Sequence, residues 1–266
     1  MTSAFSSTEL FGDIGYLLER SLLDLGGTSD VLELLLENKN RLQRLLEEWL
    51  GELVPDNAAF AYHQTQITNY ESRELPKDLR HYLTGEFDLE TRLNPRICAI
   101  LAAPKARAAL VRLLDTPRYY IHYPPMVRFK MADASASMLP PHQDFAYNEH
   151  LRDFVTVWVP LTDIDDEVGG IVVYTGSHRG ERVNHLPSGP WAHGLKEHVA
   201  AAYPKKHIHM RVGDVLLFPP SLIHESAPHR STTRVRYSID FRVFRSPEDT
   251  TKSYFDPLEN RVVRRH

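Results

Sequence analysis

An α+β protein is the class this sequence predicts, and three observations carry the prediction. Apolar residues recur at helical spacing through the first 118 residues, while from residue 119 short runs rich in β-branched and aromatic residues sit between Pro, Gly and Asp turns. In the last of those runs, polar and apolar residues alternate one by one from Arg234 to Val243. Helices first and many short strands afterwards imply that the β part is a sandwich or barrel. A chain of 266 residues, 42% hydrophobic and 25% charged, suits one domain with one sizeable core. Within it, 1–118 is expected to be mainly helical support, 119–246 the β core and 247–266 a C-terminal tail.

Taken in order, Leu17, Leu18, Leu22, Leu23 and Leu25 fit a first helix that ends at Gly26-Gly27. Thr28-Ser29-Asp30 then supplies capping residues for a second, from Val31 to about Leu53. Its stripe of Leu35, Leu42, Leu45, Leu46 and Trp49 is too short for a coiled-coil seam, so packing on the protein's own core is expected. Tyr62 to Tyr70 fits a helix or an extended stretch equally. Ile97 to Leu114, with Arg107 and Arg112 on its exposed side, reads as one more helix stopped before Pro117. Strands are expected over Arg118–Tyr123, Met126–Met131, Phe154–Leu161, Ile171–Thr175, His207–Arg211, Val215–Phe218 and Arg234–Phe244. The connection from Gly176 to Lys206 is long enough to be a lid, with Arg182, Trp191 and Tyr203 as side chains to close it.

Composition narrows the function. A formal net charge of −4 gives no general attraction to phosphate backbones or anionic membranes, so no nucleic-acid or membrane partner is expected. The basic run Asn260–His266 reads as a solvated terminus. Cys98 is the only cysteine, which removes disulfides and cysteine-rich metal sites, and its neighbours Ile97 and Ile100 make it a small buried hydrophobe. Met1–Ser7 lacks the features of a secretory signal, and no apolar run is long enough to span a bilayer, so a cytoplasmic protein is expected, as a monomer or homodimer.

The residues that carry chemistry centre on Pro141-His142-Gln143-Asp144. On an extended segment His142 and Asp144 point the same way, and His224 arriving from elsewhere completes a face of two histidines and one carboxylate, an arrangement that suits non-haem Fe(II). Parity puts Arg234, Arg236, Ser238, Asp240 and Arg242 on one face of the last strand and Val235, Tyr237, Ile239, Phe241 and Val243 on the other. A polar face inside a helix-covered barrel lines a hydrated cavity, where an arginine clamps a carboxylate and Ser238 adds a hydroxyl. Thr156 and Trp158 share a face in the same manner. Plainer accounts fit other residues. His178 reads as a turn histidine bonded to backbone, His185, His193, His198, His207, His209 and His229 as surface or supporting groups, Asp165-Asp166-Glu167 as a solvated turn, and Phe145 and Tyr147 as packing or substrate contacts.

Several of these stretches together resemble the phytanoyl-CoA dioxygenase (PhyH)-like family of Fe(II)/2-oxoglutarate-dependent oxygenases. They are Pro141–Asp144, Val157–Asp163, Gly169–Gly180, Gly213–Phe218 and His224-Glu225-Ser226, and the likeness covers about residues 119 to 245. It implies a double-stranded β-helix (jelly-roll, cupin-like) core with the N-terminal helices packed against one sheet. It further implies Fe(II) on His142, Asp144 and His224, with 2-oxoglutarate and O2 as co-substrates. Arg236 is the expected clamp for the distal carboxylate, since Arg236-Tyr237-Ser238 matches an Arg-x-Ser pattern of related oxygenases, although Arg234 stands close by. Trp158 and Ser226 match co-substrate positions, and Arg128 and Lys130 are weaker candidates for co-substrate or substrate. The expected reaction is hydroxylation, desaturation or cyclisation of a small metabolite with release of succinate and CO2. Asp144 favours these over halogenation, because related halogenases carry a small residue there. A jelly-roll binding module without turnover and a cupin-like isomerase or hydrolase are the competing readings.

Overall fold

A computed structural model of the protein describes residues 11–51, 53, 76–131, 138–187 and 193–265. Met1–Ser7, the ambiguous stretch Tyr62–Tyr70, Trp191 and His266 lie outside the described residues. The elements, in order, are β1 (Leu17–Glu19), α1 (Leu25–Leu50), α2 (Lys77–Leu83), α3 (Leu89–Arg92), α4 (Pro95–Ala102) and α5 (Pro104–Leu113). β2 (Tyr120–His122), β3 (Met126–Lys130), β4 (Val155–Pro160), β5 (Ile171–Tyr174), β6 (Leu186–Pro187) and β7 (His193–Gly194) come next. After α6 (Glu197–Ala201) follow β8 (Lys205–His207), β9 (Val215–Phe218), β10 (His224–Ser226), β11 (Arg236–Phe244), β12 (Tyr254–Asp256) and β13 (Arg261–Val263).

Two antiparallel sheets make the jelly roll. The larger has the order β1-β9-β4-β11-β2-β12-β13, with β3 also on β11, and the smaller has the order β10-β5-β8. Tyr237, Ile239, Phe241 and Val243 of β11 join Val155, Val157 and Val159 of β4 in a core shared with Leu35, Leu42 and Leu46 of α1. Each such fully buried side chain contributes about 1.5–3 kcal/mol of hydrophobic stabilisation. The opposite face of the same strands looks at the smaller sheet, where Trp158, Leu216 and Phe218 pack with Ile171 and Val173. The parity read from the sequence therefore holds, with the apolar face under the helices and the polar face inside the roll.

Five expectations need correction, the first being the strand over His207–Arg211, which lies instead at Lys205–His207 because its pairing with β5 stops at Val172. Leu17–Glu19 is not helical; it is an edge strand with Leu17 opposite Leu217, so sheet pairing overrides the leucine spacing. The helix α1 instead starts at Leu25 and runs through Gly26-Gly27, because Asp24 caps it by accepting from the Gly27 N–H at 2.9 Å. It ends on Gly51 at φ 73°, a left-handed position that glycine takes without strain. Ile97 to Leu114 is two helices, broken where Ala103 turns extended (φ −54°, ψ 141°) ahead of Pro104, which opens the second. Residues after 247 are not a free tail. Tyr254–Asp256 pairs with β2, Arg261–Val263 closes that edge, and Phe255 is buried. Among the described residues no helix is long and apolar enough to cross a membrane.

Candidate active site

His142 and His224 arrive on neighbouring extended segments that exchange reciprocal backbone hydrogen bonds, His142 N–H to His224 O at 2.9 Å and His224 N–H to His142 O at 3.0 Å. Gln143 points the other way, where its side chain donates to the Ser221 carbonyl at 2.8 Å and accepts from the Val183 N–H at 2.9 Å. That lock, together with the Gln143 N–H donating to His185 Nε2 at 2.8 Å, fixes the ligand segment from behind. Asp144 opens a short 3-10 turn, its N–H held by the Pro220 carbonyl at 3.0 Å. One donor atom from each of His142, Asp144 and His224 lies within 4.8 Å of the others, and all three residues are buried.

The tautomers follow from the partners. Nδ1 of His142 donates to the Pro140 carbonyl at 2.8 Å and Nδ1 of His224 to the Leu222 carbonyl at 3.0 Å, so each Nε2 keeps a free lone pair. Burial, with His224 alongside, pushes the His142 imidazole well below its usual range and keeps it neutral. Burial alone would raise the Asp144 carboxyl, but Arg242, both histidines and Thr156 outweigh it and hold it at about 2. Arg242 Nη2 donates to Asp144 Oδ1 at 2.9 Å and the Thr156 hydroxyl donates to Oδ2. These two partners face one another across β4 and β11. Two imidazole nitrogens and one ionised carboxylate form a donor set that fits Fe(II).

A second polar group lies further along the same face of β11. Arg236 is buried opposite Lys130, its guanidinium 5.9 Å above the Trp158 ring and in loose contact with the Gly170 carbonyl at 3.4 Å. Burial pushes this guanidinium down to about 10. Arg236 Nε, Lys130 Nζ and Ser238 Oγ are buried with no hydrogen-bond partner, an arrangement that lacks only an acceptor such as a carboxylate. Trp158, Ser226 and Arg236 line one cavity of about 260 Å³ together with the three metal donors.

Other candidates are placed less centrally. Arg234 lies before the strand begins, exposed and held by Asp165 at 2.8 Å and Glu167 at 3.0 Å, so it faces away from the cavity. Arg128 does line the cavity, but Glu86 at 3.3 Å and Asp240 at 3.6 Å already engage it. Tyr147 reaches the wall with its ring 5.3 Å from that of His142, whereas Phe145 lies beneath the Arg182 guanidinium and Tyr203 packs in a separate apolar cluster. His178 is the backbone-bonded turn histidine, meeting the Gly12 carbonyl at 3.1 Å. His229 is not at the surface; it is buried between the carbonyls of Val168 and Arg234. Sequence reasoning gave no role to Thr156, Arg242, His122 and His150. Strand parity puts Thr156 and Arg242 on the cavity face, but their shared partner becomes visible only once β4 pairs with β11.

Comparison with known proteins gives the family and the fold. The family model for phytanoyl-CoA dioxygenase (PhyH) matches residues 36–237. The chain is 32% identical over 146 residues to a 1-deoxypentalenic acid 11-beta-hydroxylase of Streptomyces arenae, a match covering 48% of this chain and 46% of that one. It thus spans less than half the length of the curated relatives it matches. Among solved structures, the non-heme monooxygenase ThoJ superposes with a TM-score of 0.57 at 16% identity, over 95% of this chain and 83% of that one. EctD from S. alaskensis, solved with 2-oxoglutarate and 5-hydroxyectoine, does so with a TM-score of 0.56 at 15% identity, over 95% and 80%. At such identities the structural likeness is one of fold, and it is the family match over most of the sequence that decides: the chain belongs to the phytanoyl-CoA dioxygenase (PhyH) family.

Proposed function

We propose that the protein is a non-haem Fe(II)/2-oxoglutarate-dependent oxygenase that hydroxylates, desaturates or cyclises a small-molecule metabolite. One observation carries the reading: a buried donor set of two histidines and one aspartate shares a cavity with Arg236, whose Nε, like Lys130 Nζ and Ser238 Oγ beside it, has no partner. When bound, iron with 2-oxoglutarate and dioxygen supplies oxidation of an unactivated C–H bond, with the 2-oxo acid released as succinate and CO2. His142, Asp144 and His224 would hold the metal. Thr156 and Arg242 fix both oxygens of Asp144, so the carboxylate presents one orientation. Arg236 would receive the distal carboxylate of 2-oxoglutarate, helped by the unpartnered Lys130 and Ser238, and Trp158 and Ser226 would line the same end of the cavity.

The competing readings leave part of this site without a use. A Lewis-acid isomerase, a hydrolase or a binding module needs the metal donors but not the unpaired Lys130–Arg236–Ser238 group. The test is an anaerobic titration with Fe(II) and 2-oxoglutarate, following the visible charge-transfer band of a chelated 2-oxo acid. Wild type and Arg234→Ala should give the band at the same 2-oxoglutarate concentration. Arg236→Ala should need roughly a hundredfold more, the worth of a charge-assisted pair. No band in wild type, or an equal loss in Arg234→Ala, would overturn the assignment.

A further inference from the structure

The cavity has a second wall of basic residues, made by Arg92, His122, His150 and Arg242, of which only Arg242 Nη2, on Asp144, serves the metal site. The register that pairs Val243 with Ile121 sets Arg242 opposite His122, and the His122 and His150 rings are 4.5 Å apart. Nδ1 of His122, Nε2 of His150, and Nε and Nη1 of Arg242 are buried without a hydrogen-bond partner. Arg92 spends its Nε on the Pro125 carbonyl at 2.9 Å, and its nearest acid, Glu86, is shared with Arg128 at 3.3 Å. The acids lining the cavity are already engaged: Glu225 by Lys205 at 3.0 Å, Asp240 by Arg128 at 3.6 Å, and Asp144 by Arg242 Nη2 at 2.9 Å, which leaves Nε and Nη1 of Arg242 open. Burial first, then His150, Arg242, Arg92 and Lys252, push the His122 imidazole down to about 3. Two buried guanidinium N–H groups without acceptors, beside two unpartnered imidazole nitrogens, have one economical remedy, an anion. Pro124, Met126 and Tyr147 add apolar surface to the same cavity.

We propose that the substrate is a carboxylic acid with an apolar carbon body, its carboxylate held by Arg242, His122 and Arg92 while the body lies against Pro124, Met126 and Tyr147. The word substrate rests on the oxygenase reading; the binding of an apolar acid does not. Arg236 and Arg242 share one face of β11, six residues or roughly 20 Å of strand apart, and each serves a different acid.

Calorimetric titration tests this, with cyclohexanecarboxylate, octanoate and their primary amides as probes. The protein is used metal-free and again loaded with Mn(II) and 2-oxoglutarate. Each acid should bind at least about tenfold tighter than its amide, the worth of one charge-assisted hydrogen bond. Arg92→Gln, His122→Phe and Arg242→Gln should each shrink that preference. Arg242 also touches Asp144, so the first two variants decide the matter if the third does not fold. Equal binding of acid and amide, no binding of either acid, or an undiminished preference in Arg92→Gln and His122→Phe would overturn the proposal. Competition by 2-oxoglutarate for the acid site would overturn it too, by giving this wall to the co-substrate. The Fe(II) charge-transfer titration keeps the two readings apart. A band without acid preference sinks the substrate class alone, whereas acid preference without a band sinks the oxygenase reading and leaves an anion site.

Discussion

Asp144 has no oxygen to spare for a poor geometry, because Thr156 takes Oδ2 and Arg242 takes Oδ1. Thr156→Val keeps the shape and removes the hydroxyl. Fe(II) affinity should fall roughly 10–100-fold, the usual cost of losing a partner that orients a ligand, and equilibrium Fe(II) binding measures it. Unchanged affinity would mean that Arg242 alone orients the carboxylate. Glu86, beside Arg128 at the cavity's edge, gives a pH-dependent effect. Burial alone would raise its carboxyl, but Arg128, His81 and Arg92 outweigh that and hold it at about 2. A carboxylate depressed in the fold stabilises it above the unfolded value of about 4.3, and this contribution is lost as pH falls toward 2. Wild type should therefore unfold at higher denaturant than Glu86→Gln at pH 6, with the gap closing by about pH 2 to 3; a gap constant across that range would contradict the assignment. At this scale the donor triad was legible, since two of its members lie two residues apart and the third follows a recurring pattern. Arg242 was not, because what distinguishes it from Arg234 is which carboxylate lies opposite, and that depends on pairing between strands distant in sequence.

Elements were legible where periodicity and packing agree. Val215–Phe218 and the alternating face of β11 fall where the sequence placed them, since both are flanked by paired strands and covered by apolar neighbours. Leu17–Glu19 did not, because three residues carry too little pattern to reveal an edge strand, and the break at Pro104 was missed because the apolar spacing continues across it. Gly169 ties an element's shape to chemistry. It holds φ 64°, and a Cβ there would lie 2.4 Å from the Pro228 carbonyl oxygen. Gly169→Ala must displace the loop whose next residue offers its carbonyl to Arg236. The expected result is weaker 2-oxoglutarate binding, read as a rightward shift in the same titration, with Fe(II) affinity little changed. On the helical side, Leu42→Ala empties a fully buried position and should cost about 2–5 kcal/mol in chemical denaturation, without altering the cavity on the far side of the sheet.

For the whole molecule, class and layering followed from composition and element order, while the closing edge of the large sheet did not. The basic, Pro-containing end of the sequence looks solvated, yet Phe255 enters the helix-side core and Tyr254 packs on Tyr120 and Phe244. Truncation after Arg245 should lower the unfolding midpoint and weaken the site as well, because β12 braces β2, which carries His122. Intact stability in that truncation would show the edge to be dispensable. The clasp between His142 and His224 bears on when the protein can be metallated. Two of the three donors lie two residues apart, but the third is separated from them by some eighty residues of strand, loop and helix, and only closure of the roll brings it in. The site is thus an assembly of high contact order, formed late on the folding path. A nascent chain that has not yet emerged past Ser226 offers a divalent ion one imidazole and one carboxylate, a weak and unselective pair. On the proposed ligand set, selection of the metal is therefore deferred until the ribosome has released nearly all of the β core, so that the finished fold, not the growing chain, is what meets the ion.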